Sequence, residues 1–175
     1  MHKCVIIVNG KPRAGKDTFA ALLDKYIPVY KYSSIDYIKA VAMECGWKGG
    51  KSEKDRKFLA DLKFLTSEYS DLAFNKVSEK VDAFYADEIK EDLMLIDIRE
   101  PEEIERSKWI YDALTVYINN DNVPEIDSNE ADANVDDYDY DYYIDNSGTL
   151  DEFEMNVINF IYELFEMLDG MEGGK

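Results

Sequence analysis

The sequence predicts an α/β fold, with a mainly parallel five-stranded sheet held between two helical layers. Two observations carry that prediction. Short apolar runs alternate along the chain with segments whose apolar residues recur at helical spacing, as strand–helix–strand units require. The first apolar run also ends abruptly at Gly10, in a short loop that opens directly into a helix.

Lys3 to Asn9 (KCVIIVN) is rich in β-branched residues and reads as a buried strand. A helix is predicted from about Lys16 to Tyr26, with Phe19, Leu22, Leu23 and Tyr26 on its apolar face, and Pro28 stops it. Val29 to Tyr32 is a short second strand. Ser33 or Ser34 is placed to cap a helix carrying Ile35, Ile38, Val41 and Ala42, which Gly46 ends. Gly49, Gly50 and Ser52 mark a loop, and two or three helices follow to about Glu91. Their apolar positions include Phe58, Leu59, Leu62, Leu65, Leu72, Val77, Val81 and Phe84. Leu93 to Ile98 (LMLIDI) is a strand, Pro101 opens a helix, and Ala113 to Ile118 and Tyr140 to Ile144 are further strands. The last helix, Leu150 to Leu168, presents Phe153, Val157, Phe160, Ile161, Leu164 and Leu168 to the core. With no internal repeat and no Pro/Gly/Ser-rich linker, the reading is one domain over residues 1–175. It carries a helical insertion at about 34–91 and an acidic, lid-like segment at about 119–139.

Charge narrows the partners. The net charge of −18 is uneven: residues 1–108 hold 19 Lys and Arg against 20 acids, whereas residues 109–175 hold one Lys against 18 acids. Such a surface repels a nucleic-acid polymer, while small anions can still bind among the cations of the N-terminal two-thirds. No apolar run approaches the roughly 20 residues that span a bilayer. The N-terminus lacks signal-peptide architecture, and Cys4 and Cys45 form no disulfide or metal pattern. A reducing cytoplasm is the expected location. Nothing in the pattern specifies an oligomeric state.

The sharpest motif is Gly10-Lys-Pro-Arg13-Ala14-Gly15-Lys16-Asp17-Thr18. It fits G-x-x-x-x-G-K between a strand and a helix, where glycines let backbone N–H groups turn inward onto phosphate oxygens. The helix N-terminus adds partial positive charge, and Lys16 is placed to reach β and γ phosphates. Asp17 stands where Ser or Thr commonly ligates Mg²⁺. It is either a hard-oxygen metal ligand or only an electrostatic complement to the helix N-terminus, leaving Thr18 to bond a phosphate oxygen. Asp97, at the end of an apolar strand, has the shape of a second carboxylate for the metal. Arg99, two residues on, is placed to bridge donor and acceptor phosphates, or else pairs with Glu102 or Glu103 at the surface. Lys39 and Arg56 are the cations selected for an acceptor phosphate; the alternative for each is a solvated helix face. His2 falls outside any motif and is expected at the surface.

These residues, Gly-Lys-Asp-Thr above all, resemble the phosphate loop of phage-type deoxynucleoside monophosphate kinases, and also that of animal-type phosphomevalonate kinases. Ser34-Ile-Asp36-Tyr-Ile-Lys39 looks like the family's Ser…Leu-Lys segment, and Lys54-Asp-Arg56-Lys-Phe-Leu59 its Lys-x-Arg-x-x-Leu helix. Asp97-Ile-Arg99-Glu-Pro-Glu-Glu103 is similar to its Asp-Val-Arg-x-Pro-x-Glu turn. The stretch from Ser128-Asn-Glu-Ala-Asp132 to Asn146-Ser-Gly148-Thr-Leu150 is similar to its C-terminal part. The resemblance implies a P-loop nucleoside monophosphate kinase fold, ATP with Mg²⁺ as donor, and a small (deoxy)nucleotide as acceptor. It puts Lys16, Asp97 and Arg99 in catalysis and Asp17 and Asp97 at the metal. Gly10, Arg13, Ala14, Gly15, Lys16, Asp17 and Thr18 fall at the nucleotide, and Ser34, Asp36, Lys39, Arg56 and Arg99 at the acceptor. One departure stands out: such kinases often close an arginine-bearing lid, yet residues 119–139 contain no Lys or Arg.

Overall fold

The structure, a computed structural model, describes residues 3–123, 135 and 137–172. His2 and most of the acidic segment, including Ser128, Glu130 and Asp132, lie outside the described residues. Its elements are β1 (Cys4–Asn9), α1 (Lys16–Asp24), β2 (Val29–Ser33), α2 (Asp36–Glu44), α3 (Glu53–Ser70) and α4 (Leu72–Tyr85). They continue with β3 (Leu93–Asp97), α5 (Pro101–Tyr111), β4 (Leu114–Asn119), β5 (Tyr142–Asp145) and α6 (Leu150–Glu172). The chain divides into two compact units, residues 1–31 with 90–175, and residues 32–89.

In the larger unit the strands take the order β2-β3-β1-β4-β5. β1 pairs in parallel with β3 (Val8 opposite Asp97) and with β4 (Asn9 opposite Tyr117), and β4 pairs in parallel with β5. Every residue of β1 is buried, as expected of a central parallel strand covered on both faces. Ile6, Val8, Leu95, Val116 and Ile118 share one cluster with Phe19 and Leu23 of α1 and Phe153, Val157, Phe160 and Leu164 of α6. Phe160 sits between the rings of Phe19 and Tyr142, at centroid distances of 5.8 and 5.1 Å. Each such side chain contributes about 1.5–3 kcal/mol through burial. Ile7 and Ile96 alternate to the opposite side, and α5, which packs on β1 and β4, buries Ile104 and Tyr111.

α6 starts at a T-x-x-E capping box. The Glu152 carboxylate accepts from Thr149 N (2.7 Å) and Oγ1 (2.9 Å), while Glu152 N donates to Thr149 Oγ1 (3.3 Å). Tyr26 departs from its expected place on the buried face of α1. That helix ends at Asp24, so Tyr26 leaves the helical register, is 50% exposed, and donates its hydroxyl to Glu154. Cys4 is buried, and burial, with a smaller push from Asp112, raises its thiol to about 12, so it is an inert core residue.

A second polar tie fixes the start of β4. The Asp141 carboxylate accepts from Lys108 Nζ (2.6 Å), Thr115 N (2.9 Å) and Thr115 Oγ1 (2.8 Å). Burial raises its pKa, but the bonds from Lys108 and Thr115 outweigh burial and hold it below the usual carboxylate range. A depressed carboxylate pKa means the folded state binds the proton less readily than the unfolded one. The contribution is therefore complete above the unfolded value of about 3.9 and is lost as pH falls through the folded value. Asp141→Asn is expected to lower Tm at neutral pH, with the difference from the parent closing in strong acid. Thermal unfolding followed across pH checks it, and a pH-independent difference would assign the loss to packing instead.

In the smaller unit, α3 opens with a Ser52–Asp55 capping box, in which Ser52 N donates to Asp55 Oδ2 (3.0 Å) and Asp55 N to Ser52 Oγ (3.2 Å). Asp71, at φ +52°, breaks the long helical run into α3 and α4. α4 buries Ala73, Val77, Val81 and Phe84, and α2 buries Ile38 and Ala42. α3 holds Phe58, Leu59 and Leu62 half-buried and none of its residues fully buried, and Leu65 is exposed despite its apolar spacing. One expectation is corrected here. Neither Ser33 nor Ser34 caps α2: its N-cap is Ile35, and the Asp36 carboxylate instead accepts from Ser33 N (3.0 Å).

Candidate functional site

The parallel sheet brings the carboxyl ends of β1, β3, β4 and β5 to one edge, where open α/β sheets bind ligands. The phosphate loop leaves β1 at that edge. Gly10 has φ +143° and Gly15 φ +108°, conformations in which a side chain is strained. Space reinforces the requirement: a Cβ on Gly10 would lie 2.5 Å from Ile118 O, and one on Gly15 would collide with Asn146 Nδ2. Gly15→Ala is therefore expected to cost about 1–3 kcal/mol of stability. Chemical denaturation would measure it, and an unchanged midpoint would show that the loop does not need this geometry.

Three buried or half-buried groups hold the loop, and sequence reading gave none of them a role. Asn9 is fully buried: its Nδ2 donates to Tyr140 Oη (2.8 Å) and Arg99 O (3.3 Å), and its Oδ1 accepts from Gly10 N (2.8 Å). Tyr140 passes the tie on by donating to Val135 O (3.0 Å). The third group, Asn146, donates to Ala14 O (2.8 Å), while its own N–H binds Asn119 O (2.8 Å). The signal available in advance was a polar residue closing an apolar strand just before a motif glycine. A buried side chain of that kind must find partners.

Lys16 opens α1 and curls back over the loop, donating to Gly10 O (2.5 Å) and Lys11 O (3.1 Å). Asp17 is almost wholly exposed, its side chain 95% accessible, and Arg13 and Thr18 are exposed as well. Ala14 is buried beneath the loop. Asp97 ends β3 with its side chain 23% accessible, and its Oδ1 is buried without a hydrogen-bond partner. Burial raises its pKa above the carboxylate range, although Lys31 and Lys16 pull it down. A carboxylate so placed favours a cation. The cation present is Lys31 of β2, whose ammonium bonds to Asp17 Oδ1 and lies 3.4 Å from Asp97 Oδ2. Arg99 follows on the exposed turn after β3, its carbonyl fixed by Asn9.

The donor chemistry here fits Mg²⁺. Two carboxylates flank one cation position, one oxygen has no partner, and Mg²⁺ takes one or two carboxylates with water and phosphate completing its shell. Among the described residues no group of three or more His, Cys, Asp or Glu is arranged for a metal, so the protein's share would be these two. The other predicted residues lie in or beside the smaller unit's first helices. Ser34 is buried, Asp36 and Lys39 pair on one face of α2 (3.1 Å), and Arg56 is exposed on the first turn of α3.

Solved structures of low sequence identity share this fold. TT1252 from Thermus thermophilus matches at 19% identity and TM-score 0.53, over 94% of this chain and 99% of that one. Dephospho-CoA kinase from Campylobacter jejuni matches at 17% and 0.51, over 92% and 97%. Shikimate kinase from Aquifex aeolicus matches at 16% and 0.50, over 98% and 99%. The chain thus shares the fold of these proteins, two of which are small-molecule kinases: among the described residues, an α/β architecture with a five-stranded parallel sheet and six helices. No protein-family model matches the chain, and no curated protein sequence matches it. Among the described residues, no helix is long and apolar enough to cross a membrane.

Proposed function

We propose that the chain is a kinase transferring the terminal phosphate of Mg-ATP to a phosphate oxygen of a (deoxy)nucleoside monophosphate. The observation that carries this reading is the phosphate loop: Gly10 and Gly15 at positive φ, the helix N-terminus behind them, and Lys16 over the loop. In the transfer, an acceptor phosphate oxygen forms a bond to the γ-phosphorus as the bond from that phosphorus to the β,γ-bridging oxygen breaks. ADP leaves, and the acceptor becomes a diphosphate. The N–H groups of Gly15, Lys16, Asp17 and Thr18, at the start of α1, would cradle the triphosphate, while Gly10 N–H stays with Asn9 and Lys16 moves from the loop carbonyls onto the β and γ oxygens. Asp17 and Asp97 would hold the Mg²⁺ ion, which when bound neutralises charge on the phosphate being transferred.

Arg99 is assigned to the transition state, where its guanidinium spans the oxygens of donor and acceptor. Ser34, Asp36, Lys39 and Arg56 are assigned to the acceptor. No strong base is needed, because positioning and charge neutralisation carry phosphoryl transfer. The fold shared with two small-molecule kinases supports the reaction type, and the resemblance of segments beyond the loop, Ser34 to Lys39, Lys54 to Leu59 and Asp97 to Glu103, to phage-type deoxynucleoside monophosphate kinases supports the nucleotide acceptor.

The test is coupled ADP release with Mg-ATP against a panel of ribo- and deoxynucleoside monophosphates, with phosphomevalonate added. Turnover with one nucleotide is expected and names the acceptor. Turnover only with phosphomevalonate would move the reaction to another phosphorylated metabolite. Tight ATP binding with no turnover across the panel would make the chain a nucleotide-binding module, a reading favoured by the absence of Lys and Arg from residues 119–139.

A further inference from the structure

Lys31 has no part in the motif chemistry, yet it occupies the centre of the carboxylate pair. Its ammonium bonds to Asp17, stands 3.4 Å from Asp97 Oδ2, and has only 32% of its side chain exposed. The strand order explains how it arrives there: β2 lies beside β3, so a side chain from β2 can meet the carboxylate that ends β3. Asp17 reaches the same point from the first turn of α1. Three elements, α1, β2 and β3, thus converge on one cation position, and an amine of the chain itself fills it.

We propose that Lys31 is a tethered stand-in for the divalent ion, holding Asp17 and Asp97 in the nucleotide-free protein and yielding their oxygens only when the metal arrives with a nucleoside triphosphate. The inference rests on the metal-binding role proposed above for Asp17 and Asp97. Its physical basis is competition. Without the ammonium, the half-buried Asp97 carboxylate would stand beside the exposed Asp17 carboxylate with no cation between them, and Asp97 already carries one oxygen without a partner. A free divalent ion must displace Lys31, which the covalent tether keeps at high local concentration. A metal bound to triphosphate arrives with negative charge that receives the displaced ammonium, so the exchange leaves no cation unpaired. Lys31 is in this account a positioning residue that couples metal entry to nucleotide entry.

The experiment measures Mn²⁺ binding to the full chain without nucleotide, by the loss of the free-ion electron paramagnetic resonance signal. Wild type is expected to bind weakly. Lys31→Met should bind at least about tenfold more tightly, because the competitor is gone while both carboxylates remain. Lys31→Arg keeps the charge and should stay near wild type, which guards against a general effect of substitution. Adding Asp97→Asn to Lys31→Met should abolish the gain. Equal or weaker Mn²⁺ binding by a folded Lys31→Met protein would overturn the proposal, as would a gain that survives loss of Asp97. Should Lys31→Met fail to fold, Lys31→Gln takes its place under the same criteria. Wild-type turnover with Mg-ATP is assayed in parallel. If turnover is present and Mn²⁺ binding is unmoved, only the stand-in role fails; if turnover is absent, the kinase reading fails by itself.

Discussion

Lys16→Ala is expected to lower kcat/KM by at least about 10²–10³-fold while leaving a folded protein. The size follows from removing a charge-bearing donor aimed at the phosphates, the kind of loss that costs that much in preorganised sites. The fold is expected to survive because the hydrogen bonds that tie Lys16 to Gly10 and Lys11 each contribute only about 0.5–1.5 kcal/mol, and neighbouring anchors remain. Asn9 still holds the loop's first residue, and Asn146 still holds Ala14. Steady-state kinetics beside a thermal melt separate the two effects. Retained activity would remove Lys16, and with it the phosphate-loop mechanism, from the account.

Arg99→Ala should show a different signature. Its backbone is fixed by Asn9 while its side chain lies on the exposed turn beyond β3, so truncation leaves the nucleotide cradle in place. A guanidinium that acts on transition-state charge is worth about 10³-fold or more in kcat. The expected result is therefore a fall of that order in kcat with ATP affinity changed only a few-fold, read from single-turnover rates and direct ATP titration. Weakened ATP binding with kcat preserved would make Arg99 a ground-state binding residue.

How much of this was legible in the sequence depended on whether the determinant was local. The strand–turn–helix geometry around Gly10 and Gly15 was, because the glycine spacing and the flanking strand and helix are contiguous, and backbone φ at both glycines follows from that short stretch. The Asp97 strand was legible for the same reason, an apolar run ended by an acid. Lys31 was not. In Val-Tyr-Lys-Tyr-Ser it reads as an ordinary strand lysine, since charged side chains commonly protect sheet edges. Its meaning comes from β2 lying next to β3, a pairing that no local pattern encodes.

Asn9 and Tyr140 were missed for a similar reason: they are 131 residues apart and meet only through the folded sheet. At α3 the apolar stripe of Phe58, Leu59, Leu62 and Leu65 is covered only in part: the first three are half-buried and Leu65 is exposed. Amphipathic spacing specifies a stripe, but how fully that stripe is covered depends on what packs against it. At α2, a serine before an apolar helix looked like a cap. The side chain that reached back was Asp36, whose carboxylate took the Ser33 N–H from inside the helix.

The central claim is that phosphate leaves ATP for another phosphate. Phosphorus-31 NMR of the protein with Mg-ATP and the nucleoside monophosphate that is turned over tests it most directly. The account predicts that the γ-phosphate resonance of ATP declines as a diphosphate resonance on the acceptor grows, one for one with ADP and without inorganic phosphate. The same mixture with Lys16→Ala should stay unchanged. Inorganic phosphate as the sole product alongside ADP would show that water, not a phosphorylated acceptor, receives the phosphoryl group, and would contradict the account.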